Sequence, residues 1–263
     1  MHQKEYIQII NAVSDAGKAI LDIYQSDDWE IETKLDNTPL TNADKAAHNI
    51  LVKSLGQFNI PILSEEGKHI DFAERKKWRE YWLIDPLDGT KEFIKRNGEF
   101  TINVAKIIDG EPFHGFVYAP VLKTFYVGLD QKTAIKFTLE AGEKLKEWPK
   151  ERSVLKVQKP TDRVVVVGSR SHFNEKTEKY INDLRNKYSQ VDFIAKGSSL
   201  KLVEVAEGKA HIYPRFGPTM EWDTAAAHAV VIAAGGKVET PEQQALKYNK
   251  ENLLNPYFVV EAI

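Results

Sequence analysis

The sequence predicts an α/β protein whose N-terminal half is α+β, and three features carry that expectation. Apolar residues recur at helical spacing in two early segments, and a run of strand-like segments joined by tight turns follows. After residue 158, strands alternate with helices. With 263 residues the chain can form one large domain or two packed ones around a sizeable core.

Ile7, Ile10, Val13, Gly17, Ile20, Leu21 and Tyr24 recur with the period of one amphipathic helix over the first 25 residues. A second helix belongs in TPLTNADKAAHNILVKSLGQF, with Ala43, Ala46, Ala47, Ile50, Leu51 and Leu55 on one face. Thr41 or Asn42 is its N-cap. The strand IPILS then ends in Glu65-Glu66-Gly67, and the strand YWLID delivers the chain to DPLDGT. TINVAKII and FHGFVYAP flank Asp109-Gly110-Glu111-Pro112, a hairpin signal, and TFYVGLD and TAIKFT extend the meander.

The second half runs RVVVVGS, a helix over 173–188, VDFIAKG, a helix over 199–207, AHIYP, and WDTAAAHAVVIAAGG. Such alternation predicts an α/β layer with a partly parallel sheet. The break around Gln158 divides the chain into 1–158, helices plus antiparallel sheet with most of the candidate acids, and 159–263, an α/β subdomain. No long linker separates them.

Lys plus Arg total 36 against 38 for Asp plus Glu, a net charge of −2. That balance argues against a binder of nucleic-acid polymers, which needs a basic surface to displace counterions. The absence of cysteine excludes disulfides, thiolate metal sites and a cysteine nucleophile. The N-terminus lacks a secretory apolar core, and no apolar run is long enough for an integral membrane segment. The cytoplasm is the expected location. Peripheral association with the cytoplasmic face of the inner membrane stays open, as does the choice between monomer and dimer.

Three acidic clusters sit at element ends: Glu65-Glu66, the pair Asp85 and Asp88, and Asp223. Each alone reads equally as a solvated surface, an Asp-Pro turn or a helix cap. Together they suit Mg²⁺, a hard cation that takes oxygen ligands and needs few carboxylates. In DPLDGT, Pro86 biases Asp85 toward extended backbone, and the turn brings Asp88 back with the Leu87 carbonyl. Gly89 permits close approach of a ligand, and Thr90 opens the helix TKEFIKR, whose N–H groups favour an anion. Carboxylates for metal beside amides for phosphate describe a phosphoryl-transfer site.

The set SEE, WLIDPLDGTKEF and WDTAAAHAVVIAAGG resembles the lithium-sensitive, Mg²⁺-dependent phosphatases of the inositol monophosphatase superfamily, in the family's order and over nearly the whole chain. The segments KEFIKRNGEFT and GSSLKLVEVAEGKAHIYPRFGPT resemble its bacterial 3′(2′),5′-bisphosphate nucleotidase branch, with Ala227 where that branch has glycine. The resemblance implies a layered α-β-α-β-α sandwich of the inositol monophosphatase/fructose-1,6-bisphosphatase type. It implies hydrolysis of the 3′-phosphate of adenosine 3′,5′-bisphosphate (PAP) to AMP and phosphate by metal-activated water, with two or three Mg²⁺ ions. Clearing PAP during sulfate assimilation is the implied role.

Carried over residue by residue, the resemblance makes Glu65, Asp85, the Leu87 carbonyl, Asp88 and Asp223 the metal ligands, with Glu66 a weaker match. Thr90 positions the attacking water and Asp44 accepts from its hydroxyl; with Glu65 these form the catalytic set. The substrate set adds Leu87, Asp88, the Gly89 and Thr90 amides and Asp223 to Glu65. Lys196, Lys201, Arg215 and Ser198 or Ser199 are candidates for the second phosphate. Tyr213 and Phe216 read either as adenine contacts or as strand core, and His172 and His228 as structural. Competing readings are an inositol monophosphatase or fructose-1,6-bisphosphatase, and a non-catalytic protein binding Mg²⁺ and a phosphorylated ligand. The presence of both Asp44 and Thr90 favours an enzyme.

Overall fold

The early apolar periodicity becomes α1 (Gln3–Gln25), which buries Ile9, Ile10, Val13, Ala16 and Ile20. This computed structural model describes residues 1–26, 31–33, 39–169 and 174–262. An antiparallel pair, β1 (Ile31–Thr33) and β2 (Pro39–Thr41), leads into α2 (Asn42–Leu55). Thr41 is the N-cap: its Oγ1 accepts from the Ala43 N–H at 3.2 Å, and Asp44 accepts from the Thr41 N–H at 2.8 Å. The helix start thereby fixes the Asp44 side chain.

The first sheet has seven strands in sequence order: β3 (Ile62–Ser64), β4 (Glu80–Asp88), β5 (Thr101–Ile108), β6 (Glu111–Ala119), β7 (Thr124–Gly128), β8 (Ala134–Thr138) and β9 (Ser153–Val154). Only β3 and β4 pair in parallel, joined through the short α3 (Phe72–Arg75); the rest is an antiparallel meander. The β5–β6 turn has Asp109 and Gly110 at φ 50° and 77°, the two positive values a two-residue hairpin of matching twist requires. Between β4 and β5 lies α4 (Thr90–Ile94), a single turn and shorter than TKEFIKR suggested, because the chain leaves helical geometry by Arg96 at φ 53°.

The second sheet holds β10 (Arg163–Gly168), β11 (Gln190–Ala195), β12 (Ile212–Arg215), β13 (Gly236–Glu239) and β14 (Phe258–Ala262) in the order β11-β10-β12-β14-β13. β10 pairs in parallel with β11 and β12, while β14 is antiparallel to both its neighbours, so the sheet is mixed. Its helices are α5 (Glu175–Arg185), α6 (Leu200–Ala206) and α7 (Glu221–Ala233). The residue at which the α5 helix was expected to start, 173, lies outside the described residues, as does His172.

Three apolar layers hold these elements together. One lies between α1/α2 and the first sheet, around Ile9, Leu51, Trp82, Phe116 and Phe125. The second fills the space between the two sheets, where α6 and α7 sit among Leu83, Val117, Val203, Val230 and Phe258. A smaller third layer packs Ile181 and Leu184 of α5 on Val164, Val166 and Val259. The result is the expected α-β-α-β-α sandwich, and the middle layer is common to both halves of the chain. Among the described residues, no helix is long and apolar enough to cross a membrane.

The middle layer depends on small residues. α7 is buried on nearly all sides, from Thr224 to Val231, as a helix between two sheets must be. Its alanines let β6 and β7 approach so closely that a Cβ on Gly115 would lie 2.0 Å from the Ala226 carbonyl oxygen. This packing sets the depth of α7, and with it the position of Asp223 in the first turn.

Candidate metal centre

Parallel pairing sets Ser64 beside Ile84, and the Glu65 N–H donates to the Ile84 carbonyl at 3.1 Å. Glu65 therefore emerges next to Asp85 at adjacent strand ends. Across the β4–β5 pair, Asp85 faces Asn103 and Asp88 faces Thr101, three steps along one strand against two along the other. In a regular strand residues 85 and 88 would point to opposite faces; the bulge adds one residue and turns both toward the same side. Asp85 also accepts from the Leu87 N–H at 3.0 Å, which tightens the turn.

Gly89 follows with φ 93°, where a Cβ would lie 3.2 Å from the Ser198 Cβ and 3.3 Å from the Glu99 carbonyl oxygen. Both backbone angle and space call for glycine here. Thr90 comes next; its Oγ1 lies 3.5 Å from Asp44 Oδ1 and 3.4 Å from the Leu87 carbonyl oxygen. α2 and α4 thus bring together the expected water-positioning pair.

The second half completes the site from two directions. The Ser199 N–H donates to Asp88 Oδ2 at 2.5 Å, and the Asn103 amide approaches the same oxygen at 3.4 Å. The Ser199 hydroxyl turns inward, donating to Asn103 Oδ1 at 2.9 Å and lying 2.8 Å from Thr101 Oγ1. Ser198 faces the cavity with φ 43°, a left-handed conformation that is strained for a residue with a Cβ. Asp223, in the first turn of α7, accepts from the Met220 N–H at 2.9 Å. Ligand atoms of Glu65, Asp85 and Asp223 all lie within 4.8 Å of one another.

Each aspartate therefore commits one oxygen to an N–H of the chain and keeps the other for the cavity. Burial and mutual repulsion act on all three. Burial, then Glu65, Asp88 and Asp223, push the Asp85 carboxyl well above its usual range. Burial, then Asp88 and Glu65, do the same to Asp223. Asp88 is pushed up to about 6 by burial, with Lys201 and the Ser199 N–H pulling the other way. Burial likewise takes the Lys201 ammonium down to about 8 against the attraction of Asp88. Both partners of this pair shift toward neutrality, so desolvation outweighs their attraction. An all-oxygen donor set under such repulsion fits a hard divalent cation, which would neutralise it and use the remaining oxygens.

These groups line one cavity of about 240 Å³. Glu65, Asp85, Leu87, Asp88, Gly89, Thr90 and Asp223 meet Ser198, Lys201 and Arg215 there. Asp44 stands behind Thr90, only 2% exposed. Lys201 and Arg215 are 7% and 9% exposed, and Arg215 Nε has no hydrogen-bond partner among the described residues. Lys196 does not line the cavity but lies within 4 Å of Glu99 and Glu204, and Glu66 is also absent from the lining. Tyr213 is both buried core and cavity wall, whereas Phe216 packs on Tyr180 and Tyr257 instead. His228 hydrogen-bonds the Tyr248 hydroxyl at 2.8 Å within the core. Sequence reasoning missed Asn103 and Thr101, which read as ordinary strand residues until the bulge places them beside Asp88, and it missed Glu92 and Ser169 in the lining.

The model of the inositol monophosphatase family matches residues 2–259. The chain is 42% identical over 259 residues to the 3′(2′),5′-bisphosphate nucleotidase CysQ of Salmonella typhimurium, covering 96% of this chain and 98% of that protein. The protein of the same name from Escherichia coli K12 is 41% identical over the same share of each chain. Among solved structures, CysQ from Bacteroides thetaiotaomicron superimposes with a TM-score of 0.88 at 44% identity, covering 99% and 97% of the two chains. A Thermotoga maritima IMPase shares the fold with a TM-score of 0.71 at 23% identity, covering 96% of this chain and 90% of that one.

Proposed function

This chain belongs to the inositol monophosphatase family, and from that premise we propose that it hydrolyses the 3′-phosphate of adenosine 3′,5′-bisphosphate to AMP and phosphate. The observation that carries this reading is the pairing, in one cavity, of a carboxylate cluster with two buried cations, Lys201 and Arg215. A substrate with one phosphate needs only the acidic end with its metal. A second phosphate gives Lys201 and Arg215 an anionic partner from the substrate, and the full-length similarity to proteins named 3′(2′),5′-bisphosphate nucleotidase supports the same choice.

In this reading Glu65, Asp85, the Leu87 carbonyl, Asp88 and Asp223 would hold two or three Mg²⁺ ions. Bound there, Mg²⁺ would polarise the phosphate oxygens and lower the pKa of water. The chain's own groups do the positioning. Thr90 Oγ1 donates to Asp44 Oδ1, which leaves its lone pairs to accept a hydrogen bond from the attacking water and aim that water's oxygen at phosphorus. The Gly89 and Thr90 amides face the transferred phosphate. Lys201, Arg215 and Ser198, which line the same cavity beside the carboxylates, hold the remaining phosphate while the 3′-ester lies against the metal ligands. The water oxygen bonds to phosphorus as the bond from phosphorus to the ribose 3′-oxygen breaks; one water proton stays on the released phosphate and the other ends on the ribose 3′-oxygen. The reaction is set in the cytoplasm.

The test is phosphate release from PAP, inositol 1-phosphate and fructose 1,6-bisphosphate, each with Mg²⁺, with EDTA and with added Li⁺. Mg²⁺-dependent release from PAP in preference to the other two is expected. Preference for inositol 1-phosphate would overturn the substrate, and release from none would overturn the enzyme.

A further inference from the structure

The segment from Asn249 to Asn255 forms a strap across the first turn of α7. The Glu221 N–H donates to the Leu253 carbonyl at 2.9 Å. The Asn255 amide donates to the Met220 carbonyl at 2.8 Å and to Thr224 Oγ1 at 3.0 Å. From the helix side, the Glu221 carboxylate accepts from the Asn249 N–H at 2.7 Å, the Lys250 N–H at 3.0 Å and the Lys250 ammonium at 2.6 Å. Glu221 is 0% exposed.

The other side of the strap is held by Arg75, at 3% exposure. Its guanidinium donates to Asn249 Oδ1 at 2.9 Å, the Lys250 carbonyl at 3.1 Å and the Glu251 carbonyl at 3.3 Å. It also donates to the Ile70 carbonyl at 3.0 Å, and the Asn249 amide returns a bond to the Arg75 carbonyl at 2.7 Å. Arg75 belongs to α3, which follows the turn carrying Glu65. A chain of hydrogen bonds therefore runs from Ile70 and Arg75, in the segment that follows Glu65 in sequence, through the strap to Glu221, two residues before Asp223.

We propose that Glu221, clamped by the strap and braced by Arg75, is the positioning residue that holds Asp223 against Glu65 for cation binding. The inference rests on the metal-site reading above. A buried acid so close to a carboxylate cluster would add to its repulsion if left unpaired. Three donors, one of them an ammonium, neutralise Glu221 locally, so what it contributes is position. Position is needed here because the converging carboxylates repel one another in the metal-free protein, and α7 carries one of them in its first turn, where the helix's own hydrogen bonds are incomplete.

The test measures Mn²⁺ binding by electron paramagnetic resonance, alongside circular dichroism and melting temperature, for the wild type, Glu221→Gln, Lys250→Met and Asp223→Asn. Glu221→Gln keeps the shape but places an amide against N–H donors. It should weaken at least one Mn²⁺ site by about 10- to 100-fold, the range for groups that orient ligands, with native secondary structure. Lys250→Met leaves both backbone contacts and should weaken the same site less; it decides the matter if Glu221→Gln does not fold. Wild-type Mn²⁺ affinity in folded Glu221→Gln and Lys250→Met, with or without a lower melting temperature, would overturn the proposal. If Asp223→Asn also bound Mn²⁺ as the wild type does, the metal-site reading itself would fail, a separate result.

Discussion

Asp88, at the end of a strand of the first sheet, accepts a hydrogen bond from the backbone N–H of Ser199, at the start of a helix that packs on the second. That bond, across 111 residues, fixes one carboxylate oxygen and leaves the other to the cavity. The site is thus assembled only when the two halves close on each other, and several consequences can be measured.

Asp88→Asn keeps an oxygen for the Ser199 N–H and removes a charge the fold disfavours. Turnover of PAP should fall by about a hundredfold or more, since loss of groups that merely orient metal ligands already costs 10- to 100-fold. The metal-free protein should become more stable, by roughly 1–3 kcal/mol, because a carboxyl pushed up to about 6 destabilises the fold when ionised at neutral pH. Thermal melts in EDTA check the sign; a lower melting temperature than wild type would contradict it.

Thr90→Ala should reduce kcat by about 10- to 1000-fold while Mg²⁺ affinity changes little, and Thr90→Ser should restore most of the rate. Calorimetric titration with Mg²⁺ separates the two effects. A selective loss of metal affinity would instead make Thr90 part of the cation site, where its hydroxyl already lies 3.4 Å from the Leu87 carbonyl oxygen.

Metal affinity should depend on pH with a definite sign. In the metal-free fold the Asp88 carboxyl is raised, so above about pH 6 it is ionised and ready for a cation. Below that it holds a proton that the cation must displace, and apparent affinity should fall by about tenfold per pH unit per proton. Asp85 and Asp223, also raised, steepen the loss. The same repulsion is relieved as the proton binds, so acid should narrow the gap in melting temperature between Mg²⁺ and EDTA samples. A constant gap between about pH 5 and 7.5 would refute the assignment.

Gly115→Ala tests the link from packing to site. Its Cβ would stand 2.0 Å from the Ala226 carbonyl oxygen and 2.8 Å from the Ala229 Cβ, so α7 must move outward. Overpacking of this kind costs about 1–3 kcal/mol, and the shift should carry Asp223 with it. Both a lower melting temperature and weaker Mg²⁺ binding are expected; unchanged binding would show that the helix start is held independently of its middle.

The sequence by itself determined the elements and the acids. Helical periodicity located α1 and α2, Asp109-Gly110 located the hairpin, and Thr41 or Asn42 marked a cap, because each of these signals is local and repeats within a turn or a strand pair. The motifs SEE, DPLDGT and WD also named every carboxylate that lines the acidic end of the cavity save Glu92. Only the tertiary structure decided how those acids meet. The bulge that turns Asp88 toward Asp85 depends on pairing with Asn103 and Thr101. The antiparallel β13 and β14 depend on strand neighbours remote in the chain, and the strap on Glu221 depends on a segment with no pattern of its own. Lys196 and Lys201 look alike in sequence, yet one lies beside Glu99 and Glu204 and the other in the cavity. Which way a side chain faces is set by contacts between residues far apart in sequence, and local preference carries no record of them.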